Sequence, residues 1–159
     1  MTICPGKDEY AGLGIPPGPW KRDLRMDLEV IRDWQTQILV SLIEDFEFDH
    51  LGVPDLPEMI RSFGISWLHL PIVDVSVPDS AFEIKWNTAG KELRQVLLDG
   101  GRIVLHCRGG LGRTGLIAAR LLVEFGMEPD EAIIAVRKAR PGAIQTLSQE
   151  EYVRKCNHL

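Results

Sequence analysis

The chain predicts an α/β fold with a mainly parallel central sheet flanked by helices. Three observations carry this. Short β-prone runs alternate with stretches of helical periodicity along the chain. The run "QILVSLI" is continuously apolar, as in a strand covered on both faces. A length of 159 residues with 45% apolar content is enough for one core and short for two. A single domain over residues 1–159 is therefore expected.

Residues 1–20, rich in Gly and Pro near "GIPPGPW", read as an irregular lead-in with room for a short hairpin. Leu24, Leu28, Ile31 and Trp34 recur at helical spacing between Arg22 and Trp34. "QILVSLI" (37–43) follows as a buried strand. "LPEMIRSFG" (56–64) reads as a short helix stopped by Gly64, and "SWLHLPI" (66–72) as a strand that runs up to Pro71. After the loop "PIVDVSVPD", residues Ser80 to Leu98 place Phe82, Trp86, Ala89, Leu93 and Leu97 on one stripe, with Ser80 and Glu83 spaced as a capping box. "GGRIVLHC" gives a turn and a strand that ends at Cys107, and Thr114 to Phe125 is an apolar helix closed by Gly126. Pro129 opens a helix to Arg137, and Ser148 with Glu151 suggests a capping box for a last short helix.

The net charge of −5, without a long basic run, suggests neither a nucleic-acid groove nor an anionic membrane patch. No stretch has signal-peptide form or bilayer-spanning length, so a cytoplasmic protein without membrane association is expected. Cys4, Cys107 and Cys156 are odd in number and scattered, which argues for free thiols in a reducing compartment. A partner thiol near Cys107 would make its oxidation reversible, although core or surface positions are the simpler reading of Cys4 and Cys156. His50, His69, His106 and His158 show no paired ligand spacing, and no metal or other cofactor is expected.

The stretch "VLHCRGGLGRTG" (104–115) admits three chemistries. Gly110, Gly112 and Gly115 satisfy G-x-G-x-x-G after a strand and before a helix, but no second strand follows that helix to carry the acidic residue of a dinucleotide site. A thioredoxin-like site lacks its second cysteine, since Arg108, Gly109 and Gly110 follow Cys107. The third reading accounts for each residue type. Five residues between Cys107 and Arg113 bend the backbone so that the amides of Arg108, Gly109, Gly110, Leu111 and Gly112 can face a phosphate. The following helix adds its positive end, and Arg113 offers a planar fork for two phosphoryl oxygens. The same field favours the thiolate of Cys107, while Thr114 can hydrogen-bond the sulfur and His106 can orient the loop through backbone groups.

These residues resemble the H-C-x5-R-[ST] signature of the cysteine-based protein phosphatases, in their dual-specificity branch. "GLGIPPGPWKRD", "LPIVDVSVPD", "HCRGGLGRTGLIAARLL" and "RPGAIQT" are similar, in that order, to the kinase-associated type of that branch. The resemblance implies the dual-specificity phosphatase-like fold and metal-free hydrolysis of phosphoserine/threonine and phosphotyrosine through a phosphocysteine. A general acid on the upstream loop is also implied. Asp74 and Asp79 both lie there; the "PIVD" match favours Asp74, while Asp79 is explained by negative charge at a helix start. Gln145, in "GAIQT", is a candidate for positioning the second-step water or simply a polar turn residue, and Arg140 shares that ambiguity. Arg108 is a candidate for favouring acidic substrates. A phosphoinositide or other non-protein phosphomonoester substrate stays open, as does an inactive phosphate-recognition module. The implied partner is a phosphoprotein, a protein kinase among the candidates, and a monomer is expected.

Overall fold

The computed structural model describes residues 1–9 and 21–157. The strands are β1 (Thr2–Ile3), β2 (Ile38–Ser41), β3 (Ser66–His69) and β4 (Ile103–Cys107), and the helices are α1 (Leu24–Asp33), α2 (Asp45–His50), α3 (Leu56–Ser62), α4 (Ser80–Leu98), α5 (Gly112–Glu124), α6 (Pro129–Ala139) and α7 (Leu147–Arg154). The sheet order is β1-β4-β2-β3, and every pairing within it is parallel. The α/β expectation therefore holds. All four residues of β2 are buried, as a central strand covered on both faces must be. The core joins Leu39, Val40 and Leu105 of the sheet to Leu93 of α4 and Leu116 and Ile117 of α5. Among the described residues, no helix is long and apolar enough to cross a membrane, and no group of three or more His, Cys, Asp or Glu could hold a metal.

Register places the chemistry. Ile38 pairs with both Ser66 and Ile103, and Ser41 with both His69 and His106, so β2, β3 and β4 end level. Their C-terminal ends release the Asp74 loop and the Cys107 loop on the same edge of the sheet, where ligands of open α/β sheets bind.

The lead-in is not wholly irregular. Thr2 and Ile3 pair with His106 and Cys107, and Asp8 bridges Lys21 antiparallel; residues 10–20, which include "GIPPGPW", lie outside the described residues. Helix α2 was not anticipated. Two caps also differ from expectation. Asp79 caps α4 by accepting from Phe82 N at 2.8 Å, and Thr146 caps α7 by accepting from Gln149 N at 3.2 Å. A carboxylate is a stronger acceptor than a hydroxyl, and Glu83 is drawn instead to Arg120 and Tyr152. Helix α5 begins at Gly112, two residues earlier than its apolar pattern, because Leu111 O accepts from Gly115 N.

Candidate active site

Strand β4 delivers Cys107 to the start of a tight loop that ends in α5. Its sulfur is 3% exposed and accepts from Gly110 N at 3.2 Å. Gly110 has φ of 69°, and a Cβ there would lie 2.5 Å from the Thr2 carbonyl, so this turn requires glycine. Gly112 leaves room for two side-chain amides. A Cβ there would meet Gln145 Oε1 at 2.7 Å and both polar atoms of the Gln149 amide within 3.3 Å.

Arg113, one residue into α5, is 1% exposed. Its Nη1 and Nη2 donate to Glu47 of α2 at 2.5 and 2.9 Å, and Nη1 also reaches Ile72 O at 3.1 Å. Burial opposes the charge, but Glu47 outweighs it and raises the guanidinium pKa further. Asp74 Oδ1 lies 3.0 Å from Nη2 on the solvent side, with its side chain 44% exposed. Asp79 lies at the α4 cap, away from this cluster. The structure thus brings Cys107, Arg113 and Asp74 to one edge and gives Asp79 a helix-capping role.

The buried polar side-chain atoms without a hydrogen-bond partner among the described residues are His106 Nδ1, Arg113 Nε, Thr114 Oγ1 and Arg140 Nε. Three belong to the Cys107 loop or its flanks, and Arg140 touches the loop through Gly109 O at 3.4 Å. Such atoms are costly unless an acceptor is supplied, and a phosphoryl group carries three oxygens for that purpose. Thr114 does not bond the sulfur in this arrangement. His106 contacts the Ser41 hydroxyl at 2.6 Å.

The remaining candidates fall around this centre. Arg108 is half-exposed and pairs with Glu9 at 2.8 Å, and Glu9 also holds Lys7 at 2.9 Å. Gln145 brings its side-chain oxygen against Gly112, while Gly109 meets no neighbour at its Cβ position. Leu111 anchors the far turn, its carbonyl accepting from Ile144 N at 3.3 Å as well as from Gly115 N. Cys4 follows the Ile3 that pairs with Cys107, but burial pushes its thiol pKa well up, helped by the neighbouring Cys107, so it rests protonated. Cys156 lies on the α7 side, bonded to Tyr152 O. Glu47 and Gln149 were not anticipated from sequence. Glu47 spaced three residues after Glu44, whose backbone N–H its side chain accepts at 2.8 Å, was the available signal for the first. Nothing comparable marked Gln149.

Comparisons with known proteins place the chain among phosphatases. The family model for the DSP-PTPase phosphatase of polymorphic toxin systems (Tc-R-P) matches residues 12–127. Cyclin-dependent kinase inhibitor 3 of Rattus norvegicus is 32% identical over 154 residues, covering 91% of this chain and 70% of that protein. The protein tyrosine phosphatase domain-containing protein 1 of Mus musculus is 49% identical over 108 residues, covering 65% of this chain and 14% of that one. Among solved structures, kinase associated phosphatase with its catalytic-site cysteine changed to serine superposes with a TM-score of 0.82 at 29% identity, covering 96% of this chain and 82% of that one. The active form of Tk-PTP gives 0.69 at 30% identity, with 83% and 84% covered.

Proposed function

The chain belongs to the DSP-PTPase phosphatase family, a cysteine-dependent phosphatase family, and from that premise we propose that Cys107 takes the phosphoryl group from phosphoserine/threonine and phosphotyrosine of a protein substrate. The similarity to cyclin-dependent kinase inhibitor 3 and to kinase associated phosphatase supports a phosphoprotein substrate, with a protein kinase as the first candidate. The observation that carries the reading is the buried Arg113 beside Cys107 in the sequence motif, locked by Glu47 and with its Nε lacking a partner among the described residues.

The chemistry follows from the geometry. The thiolate of Cys107 attacks phosphorus in line while Arg113 and the amides of residues 108–112 hold the three equatorial oxygens. The P–O bond to the substrate breaks, and the leaving oxygen takes a proton from Asp74. In the free enzyme Asp74 pairs with Arg113 Nη2. A dianion arriving on that nitrogen takes Asp74's place and leaves the carboxyl beside the leaving oxygen, within reach for the proton transfer. Water then attacks the phosphocysteine, Asp74 accepts its proton, and the Thr114 hydroxyl donates to the departing sulfur. Gln145, its side-chain oxygen against Gly112, lies where it can orient that water.

Hydrolysis of an aryl phosphate by the wild type and by Cys107→Ser tests this directly. Turnover should vanish in the variant while vanadate still binds. Equal turnover in both would remove Cys107 from the reaction, and preference for phosphoinositides over phosphopeptides would overturn the substrate class.

A further inference from the structure

Gln149, in the first turn of α7, is a fully buried polar side chain that the reaction as described does not use. Its amide serves three segments of the site at once. Nε2 donates to Ser76 O at 3.0 Å, Oε1 accepts from Gln145 N at 2.9 Å, and both atoms pack within 3.3 Å of the Cβ position of Gly112. Ser76 closes the turn that carries Asp74, since its own N–H donates to Val73 O at 3.1 Å. Between them, Val75 has φ of 60°, a left-handed conformation that a β-branched residue adopts only when its surroundings impose it.

Resting on Asp74 as the acid, we propose that Gln149 is a positioning residue that clamps the Asp74 turn to the Cys107 loop, fixing the acid above the phosphoryl site. Helix α7 holds Gln149 through the cap at Thr146, so the amide cannot follow the turn if the turn moves. Without the bond to Ser76, the strained Val75 can relax and the Asp74 turn is no longer held over the Cys107 loop. Proton delivery fails while thiolate attack does not, because the loop, Arg113 and Glu47 make no hydrogen bond to Gln149.

The experiment compares Gln149→Glu, which keeps an acceptor for Gln145 but loses the donor to Ser76, with Gln149→Asn, one methylene shorter and closer to the native chemistry. Each is assayed on aryl phosphates spanning good and poor leaving groups. Asp74→Asn runs beside them, and Cys107 alkylation by iodoacetate reports loop integrity. Turnover of the poorest leaving groups should fall about 10- to 100-fold, a part of the roughly 100- to 10,000-fold that a general acid supplies, with little loss on the best. Alkylation should stay within about twofold, and the Gln149 variants should add little loss to that of Asp74→Asn alone, as expected for residues acting through one group. The pH profile should lose its fall at high pH. Equal losses across leaving groups, or losses that multiply with Asp74→Asn, would overturn the clamp. If Asp74→Asn itself shows no leaving-group dependence, the acid assignment fails instead, and the two failures are distinct. Should Gln149→Glu not fold, Gln149→Asn carries the same criteria, and wild-type-like leaving-group dependence in it overturns the proposal.

Discussion

Sixty-six positions separate Glu47 from Arg113, yet the pair decides which way the guanidinium faces. With its outer nitrogens held by a buried carboxylate, the arginine has lost its rotational freedom before any substrate arrives, and that preorganisation is where electrostatic catalysis gains. His106 shows the same economy of protons. Trp67 Nε1 donates to Ser41 Oγ at 2.8 Å, so the Ser41 proton is directed at His106 Nε2, which must be an acceptor. The ring is therefore neutral, and burial pushes its pKa down to about 3 from 6.5 despite the opposing Cys107 backbone. Between those two values the unfolded chain binds a proton that the native state refuses. Stability from this group is complete above pH 6.5 and is lost as pH falls toward 3. The slope is at most about 1.4 kcal/mol per pH unit. Urea unfolding of wild type and His106→Gln at several pH values should show the steeper acid loss in wild type between pH 6.5 and 4. Matching slopes would mean that the native imidazole carries a proton.

Asp74 and Asp79 differ by five positions but belong to different elements, and that separates their roles. Asp79 sits at the start of α4, where its carboxylate satisfies the N–H of Phe82. Asp79→Ala should cost about 0.5–2 kcal/mol in chemical denaturation, Asp79→Asn much less since Asn caps as well as Asp, and neither should alter leaving-group dependence. A leaving-group effect in Asp79→Asn would exchange the two assignments. The limits of α4 could be read from its stripe because nineteen residues repeat the pattern. Its cap could not be read as reliably, since Asp79 and Ser80 are both good capping types and only the competing pull of Arg120 on Glu83 decides between them. Helix α2 spans six residues and has three acidic residues and a histidine among them, too short for periodicity to emerge. Strand β1 spans two, and exists because Gly110 lets the Cys107 loop approach the Thr2 backbone. Cys107, its loop and Arg113 could be picked out because their pattern is local in sequence. Glu47 and Gln149 were not, because each acts on residues brought near by the sheet.

The molecule as a whole is tied together away from the reaction by one polar network. Arg120 of α5 donates to Glu124 on its own helix at 2.9 Å and to both oxygens of Glu83 on α4 at 2.8 and 2.9 Å. Trp86 donates to Glu124 at 2.8 Å, Arg94 pairs with the same carboxylate, and Tyr152 of α7 donates to Glu83 at 2.5 Å. The Arg120 guanidinium also lies 4.6 Å from the Trp86 ring centroid. Helices α4, α5 and α7 are thus joined through one cation. Arg120→Met removes that cation and leaves Glu124, 5% exposed, with only Arg94 and Trp86. Breaking such a buried pair costs about 3–5 kcal/mol, and the half-exposed Glu83 argues for the lower figure. For a domain of this size, about 3 kcal/mol corresponds to a fall in Tm of roughly 6–12 °C. The described residues share one core, so tryptophan fluorescence and far-UV circular dichroism should report the same transition in wild type and variant. Non-coincident transitions in the variant would mean that α7 unfolds separately. In that case Gln149, one turn before Tyr152 on the same helix, would release the Asp74 turn before the core melts, and turnover of poor leaving groups would fall at temperatures where the far-UV signal is still native.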